Sequence, residues 1–288
     1  MNRRFQTKII DGLLLFSSVL ILFLLAGMLY ALFSRSIPAF LHFGIFDFIT
    51  SSSWNPREGL EEYGAWSFIC TTFIVSILTI IICLPFIISL ALFNGGLYRN
   101  TLLSRFVSYI IKLSMGIPSI IYGIWGVYTI RPLLSSLNMG NQGYGILAAS
   151  IVLACMIIPF SATLVTYYIA KVPQAMRETA ICMGATRLKV AWKICLPLSR
   201  RGIIASLLLA LSKVMGEAII VSFLIGNTFN IPDSLNGTGS TISSIVFNQF
   251  GGSHGLQMNS LIALLLILFL FTGIINFIAQ KISDRDII

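Results

Sequence analysis

Six long apolar runs, separated by polar segments, set the pattern of this chain. They cover about 10–33, 66–93, 106–134, 144–170, 203–226 and 257–280. At about 1.5 Å of helical rise per residue, each is long enough to cross roughly 30 Å of hydrocarbon. The pattern therefore predicts an all-α integral membrane protein with six transmembrane helices. Residues 1–9 read as an N-terminal tail and 10–288 as one membrane domain with no long repeat. Arg3 and Arg4 before the first run suggest a signal peptide. The run from Leu13 to Phe33 nevertheless exceeds the roughly 7–15 residues of a signal core. It reads as an uncleaved first membrane helix.

Charge fixes the expected orientation. Arg3, Arg4 and Lys8 precede the first run, and Arg99, Arg105 and Lys112 lie near the junction of the second and third. Lys171, Arg177, Arg187, Lys189, Lys193, Arg200 and Arg201 lie between the fourth and fifth, and Lys281 and Arg285 close the chain. Alternate loops are basic, which places both termini and the 171–202 loop in the cytoplasm. With 57% hydrophobic and 10% charged residues the chain is no ordinary soluble domain, since those carry about 25% charged residues. The net charge of +9 thus reflects topology and contact with membrane lipid, not nucleic acid.

Trp54 and Trp66 suit an interfacial belt, and Glu58, Glu61 and Glu62 make the first outside loop acidic. The loop at about 227–256 is long for a structureless connection, so it is expected to enter the membrane or meet a partner.

Chemistry is scarce. The cysteines (Cys70, Cys83, Cys155, Cys182, Cys195) have no metal-ligand spacing, and His42 and His254 stand apart from any such cluster. No phosphate-cradling G-x-x-x-x-G-K-[ST] and no nucleophile elbow occurs. The expectation is no metal, no bound cofactor and no enzyme activity in this chain. Uphill transport would draw on a partner or an ion gradient.

The 171–202 loop is the most informative stretch. A helix is expected from Pro173 to about Met183, ended by Gly184, and a second one capped by Thr186 and stopping before Pro197. Leu188, Ala191, Trp192 and Cys195 fall at i, i+3, i+4 and i+7, an apolar stripe. One reading on physics alone is an amphipathic helix resting on anionic lipid. The order Glu178-Thr179-Ala180, three residues, Gly184, nine residues, Ile194-x-Leu196-Pro197 also resembles the EAA loop of ABC-importer permeases, departing only at Thr179 where that family has Ala. The resemblance implies a type I (MetI-like) permease fold. It makes this loop a coupling helix seated on an ATPase subunit, with ATP used by that partner.

Inside the fifth run, Lys213 and Glu217 stand at i, i+4. A mid-bilayer charge costs about 2.5–3.5 kcal/mol on insertion scales. The two are either a self-neutralising structural pair on one helix face or a charge site on a translocation path. The segment Lys213-Val-Met-Gly216-Glu217 resembles the Arg-x-x-Gly-Glu segment of PstC-type permeases of bacterial phosphate importers, with Lys in place of Arg. Trp54-Asn55-Pro56, the Gly116-Ile117-Pro118 to Tyr122-Gly123 stretch, Ile225-Gly226-Asn227 and the segment 241–250 agree with that family. Pro118 is expected to break the third span, and Gly116 and Gly123 to allow close helix packing.

The resemblance implies a cytoplasmic (inner) membrane permease for phosphate. It would pair with a second, PstA-like permease, an ATPase homodimer and an extracytoplasmic phosphate-binding protein. Another oxyanion, molybdate or sulfate, and an ion-driven carrier remain the alternatives.

Overall fold

The computed structural model describes residues 3–57, 61–99, 101–139 and 141–284. Glu58 and Arg285 lie outside the described residues. Helix α1 (Arg3–Phe43) begins within the segment read as a tail and runs past the expected end of the first span. A short α2 (Ile45–Thr50) follows. Strands β1 (Trp54–Asn55) and β2 (Glu62–Tyr63) pair antiparallel, with Trp54 opposite Tyr63. Then come α3 (Trp66–Leu92), α4 (Leu102–Met115), α5 (Ser119–Trp125) and α6 (Arg131–Ser136). The order continues with α7 (Ile146–Ala170), α8 (Gln174–Cys182), α9 (Arg187–Val190), α10 (Leu196–Leu198) and α11 (Arg200–Met215). Helices α12 (Ile219–Leu224), α13 (Ile242–Gln249) and α14 (Gly255–Asp284) complete it.

Four stretches are long and apolar enough to cross a membrane unbroken: Ile10–Phe43, Trp66–Gly96, Ile146–Ala170 and Gly255–Asp284. The other two expected spans are broken. The third bends by 92° between Leu102–Met115 and Ser119–Ser136. The fifth stops at Met215 and resumes at Ile219. In addition, the stretch Arg187–Leu198 meets α11 at 71°. Counting each bent pair as one span gives up to six candidates.

The centre of the bundle is the α3–α7 pair. Lipid is as apolar as these side chains, so close packing of small residues supplies the attraction. Ser76, Ala148, Ala149, Ser150 and Ala154 are buried there, and Ser150 Oγ donates to the Val75 carbonyl at 3.4 Å. Helix α11 packs on α14, and α14 on α1. Residues 10–28 of α1 are otherwise exposed, as a lipid-facing helix requires.

A second apolar cluster gathers α2, the hairpin, α13 and the start of α14. Here Trp54 departs from the interfacial role expected of it. It is 7% exposed, lies edge-on to Tyr63 and Phe68, and donates Nε1–H to Gln249 Oε1 at 3.1 Å. Trp66, by contrast, is exposed. Burial pushes the Tyr63 phenol up to about 12, and nearby Glu61 adds to the shift. The loop at 227–256 is ordered largely by α13, whose Thr241 and Ser244 cap each other reciprocally.

Two π-helical turns have one cause. Gly126–Ile130 precedes Pro132, and Ala191–Cys195 precedes Pro197. In each, the residue before the proline donates five residues back, Arg131 N–H to the Gly126 carbonyl and Leu196 N–H to the Ala191 carbonyl. The wider turn shifts the carbonyl that a proline ring would strike in a regular helix. The second helix of the 171–202 loop therefore does not stop before Pro197 but continues through it to Leu198.

Candidate functional site

The break in the fifth span is built from the local sequence. Gly216 caps α11, Glu217 N–H donates to the Val214 carbonyl at 3.0 Å, and α12 begins two residues later. Lys213 and Glu217 are thus not on one helix face. Lys213 is in the last turn of α11, while Glu217 lies in the break and is half-buried. Of the two readings, the ion pair on one helix face is not formed, because Gly216 ends the helix before its fourth step. The Lys213 ammonium instead stands 4.4 Å above the Phe160 ring of α7, with its side chain exposed on this chain's surface. A ring face holds a cation without neutralising it. Irregular backbone at membrane depth persists only against protein or a watery cavity. The arrangement therefore presents an uncompensated positive charge at a break in a span.

Helix α13 braces this break. Ser243 Oγ donates to the Met215 carbonyl at 2.6 Å, satisfying one of the acceptors orphaned where α11 ends. Ile242 N–H donates to Thr72 Oγ1 at 3.0 Å, and Ser222 Oγ donates to Asn248 Oδ1. Gly226 (φ +92°) and Asn227 (φ +53°) then turn the chain in the left-handed region. A Cβ on Gly226 would lie 2.4 Å from the Thr238 side chain.

The third-span break falls at Gly116–Pro118. Pro118 stands just before α5, and Tyr122 Oη donates to the Ser114 carbonyl across the corner at 3.2 Å. Gly123 packs on α12, where a Cβ would meet Phe223 at 2.6 Å. Gly116 does not share that role: its neighbour is the Leu113 carbonyl of its own helix at 3.4 Å. Gly126 takes the place expected for it, with Val152 at 2.7 Å and Leu224 at 2.8 Å from a built Cβ. The short helices after the two breaks, α5 and α12, are therefore locked together.

In the 171–202 loop, α8 ends in a Schellman motif. Gly184 (φ +87°) donates to the Ile181 carbonyl and Ala185 to the Ala180 carbonyl. Thr186 caps α9 by accepting from Lys189 N–H. Glu178 is exposed and accepts from Gln174 Nε2 at 2.6 Å. Thr179, also exposed, donates to the Ala175 carbonyl. Ala180, Ile194 and Leu196 pack partly buried on the core, and Pro197 is exposed. Only half of the expected stripe is buried: Ala191 and Cys195 are buried with Val190, but Leu188 and Trp192 face outward. A cavity of about 380 Å³ opens beside Glu178, lined also by Arg99, Ile181 and Arg187.

Nothing on its own chain lies within 4 Å of a Cβ built on Gly184. Gly184→Ala is therefore expected to cost about 1–2 kcal/mol of loop stability, from the left-handed backbone alone. Gly184→Asn should recover most of it. Proteolysis rates of the 171–202 loop in the purified protein would measure both.

One residue was not singled out by sequence. Arg177 is 8% exposed. Its guanidinium donates to the Gly95 carbonyl at 2.8 Å and to the Ile169 carbonyl. It therefore ties α8 to the ends of α3 and α7. In the sequence it was one of several loop cations, with no signal to mark it as buried.

Residues 84–288 match the family described as binding-protein-dependent transport system inner membrane component. The phosphate transport system permease protein PstC of Pasteurella multocida is 35% identical, over 94% of this chain and 89% of that protein. Its counterpart in Mesorhizobium japonicum is 37% identical, over 93% and 87%. A probable PstC of Methanocaldococcus jannaschii is 32% identical, over 90% and 87%. Among solved structures, an inward-facing MetNI methionine ABC transporter chain aligns with a TM-score of 0.57 at 23% identity, covering 77% of this chain and 94% of that one. The chain belongs to the family of binding-protein-dependent transport system inner membrane components, alongside the PstC permeases.

Proposed function

We propose that this chain is the multi-pass inner-membrane permease subunit of an ATP-driven phosphate importer. The observation that carries the reading is its kinship with PstC permeases along nearly the whole chain. Six spans, two of them broken, put both termini and the 171–202 loop on the cytoplasmic side, with residues 10–288 acting as one domain. A second, PstA-like permease covers the face on which Lys213 is exposed. An ATPase homodimer holds ATP and takes Glu178, Thr179, Ala180 and Gly184 in a groove, while Ile194, Leu196 and Pro197 join that loop to α11. The outward-facing Met176, Met183, Leu188 and Trp192 suit such a helix-in-groove contact. An extracytoplasmic binding protein delivers phosphate at the opposite end.

Lys213 draws the anion into the break of the fifth span. Glu217, close in the chain but unpaired with it, keeps the anion from being held tightly. Breaks at Gly116–Pro118 and Gly216 let the paired helices α5 and α12 shift together as the two permeases rock. No cofactor is assigned to this chain.

The test is uptake of labelled phosphate by proteoliposomes holding the chain with its co-purifying subunits and binding protein, with ATP trapped on the cytoplasmic side. ATP-dependent uptake that resists excess sulfate and molybdate is the expected result. Uptake of another oxyanion in place of phosphate would overturn the substrate.

A further inference from the structure

A cavity of about 420 Å³ lies between α4, the Phe93–Leu97 turn and the end of α7. Arg99, Arg105, Lys112, Ser104, Ser108 and Tyr109 line it. A second cavity of about 260 Å³ shares Ser108 and Lys112 and continues along α7 past Thr163 and Thr166. No carboxylate lines either. Arg105, Ser108, Tyr109 and Lys112 fall at i, i+3, i+4 and i+7, so one face of α4 carries them. Arg99 is held in place by the Ala170 carbonyl at 3.0 Å. Among the described residues, Arg105 and Lys112 make no ion pair or hydrogen bond. Three cations around one cavity repel each other until an anion joins them. The adjoining flank of α4 exposes Leu103, Phe106, Ile110 and Leu113. Cationic pockets between spans, next to an apolar flank, take phosphate head groups.

We propose that this cavity is a phosphate-group site, separate from the break that carries Lys213. Its guanidinium, ammonium and hydroxyl donors match the oxygens of a phosphate ester or of inorganic phosphate. Its placement on the inner leaflet rests on the orientation given above. The ligand is the head group of an anionic phospholipid or free phosphate at the inner mouth of the path, and one experiment separates them.

The complex is placed in phosphatidylcholine nanodiscs with or without phosphatidylglycerol, and native mass spectrometry counts the phosphatidylglycerol retained. In parallel, equilibrium binding of labelled inorganic phosphate is measured in phosphatidylcholine discs without the binding protein. The second arm uses the Lys213→Ala background, so that the translocation path does not contribute. Removing both unpartnered charges (Arg105→Gln with Lys112→Gln) should weaken affinity roughly 30-fold, at about fivefold per charge. Exchanging them (Arg105→Lys with Lys112→Arg) should preserve it. Loss confined to the first arm assigns the lipid, and loss in the second assigns free phosphate. Equal binding by the wild type and the charge-removed variant in both arms, or no retention by either, overturns the site. Neither readout uses transport, so failure of the importer reading would leave this result standing.

Discussion

Lys213→Ala is expected to lower ATP-dependent phosphate uptake roughly 10- to 150-fold while leaving the complex assembled. A hydrogen bond to a charged group contributes about 1.5–3 kcal/mol, and each 1.4 kcal/mol is about tenfold. The ammonium stands over Phe160 and is exposed, so its removal opens no cavity and strands no partner. Folding should be unaffected, since an intramembrane charge is itself a cost. Lys213→Arg keeps the charge and adds a planar fork that suits tetrahedral oxyanions, so it should retain most uptake. Uptake by proteoliposomes, with size-exclusion chromatography of each variant, measures both. Unchanged uptake in Lys213→Ala would remove Lys213 from the path and leave it a structural cation.

Much of the fold was legible because membrane spans announce themselves by length and composition. The runs at 66–93 and 144–170 return as α3 and α7 nearly residue for residue. The interruptions were legible in proportion to how loudly the backbone speaks. Pro118 removes a donor and clashes, so a break there could be read from sequence. Gly216 only weakens a helix, and an apolar run on both sides hid the stop that separates Lys213 from Glu217. The buried face of this stretch runs through Val190, Ala191 and Cys195 and not along the stripe read at i, i+3, i+4 and i+7, so Leu188 and Trp192 face outward. Helix α13 was concealed by its Gly- and Asn-rich surroundings, although Thr241 and Ser244 form a capping box. The spacing from Glu178 to Pro197 was legible, and the burial of Arg177 was not. Burial of a guanidinium depends on where distant carbonyls fall in space, and one chain's sequence does not record that.

Arg177→Ala is expected to uncouple ATP hydrolysis from uptake. The guanidinium bridges the Gly95 carbonyl, in the turn that ends α3, and the Ile169 carbonyl, at the end of α7. Hydrogen bonds from a charged donor contribute about 1.5–3 kcal/mol each, so losing both costs about 3–6 kcal/mol, although the Ile169 carbonyl still accepts from Val172 N–H at 3.3 Å. That cost falls on the joint between α8 and the bundle. The spans themselves pack through other residues, among them Val75, Val152 and Ile157, so the protein should still insert and assemble. A loosened α8 can stay in its ATPase groove and move with it without moving α3 and α7. The expected signature is ATP turnover within a few-fold of wild type, with phosphate moved per ATP lowered about tenfold or more. Arg177→Lys should recover little, since a point charge on a shorter reach cannot span two carbonyls as the planar fork does. Glu178→Gln supplies the contrast. It alters the exposed face of the same helix, so any loss there should show as weaker ATPase retention and not as a changed ratio. An unchanged ratio of phosphate to ATP in Arg177→Ala would show that force reaches the bundle by another route, the continuous stretch Arg187–Leu198 into α11 being the one left.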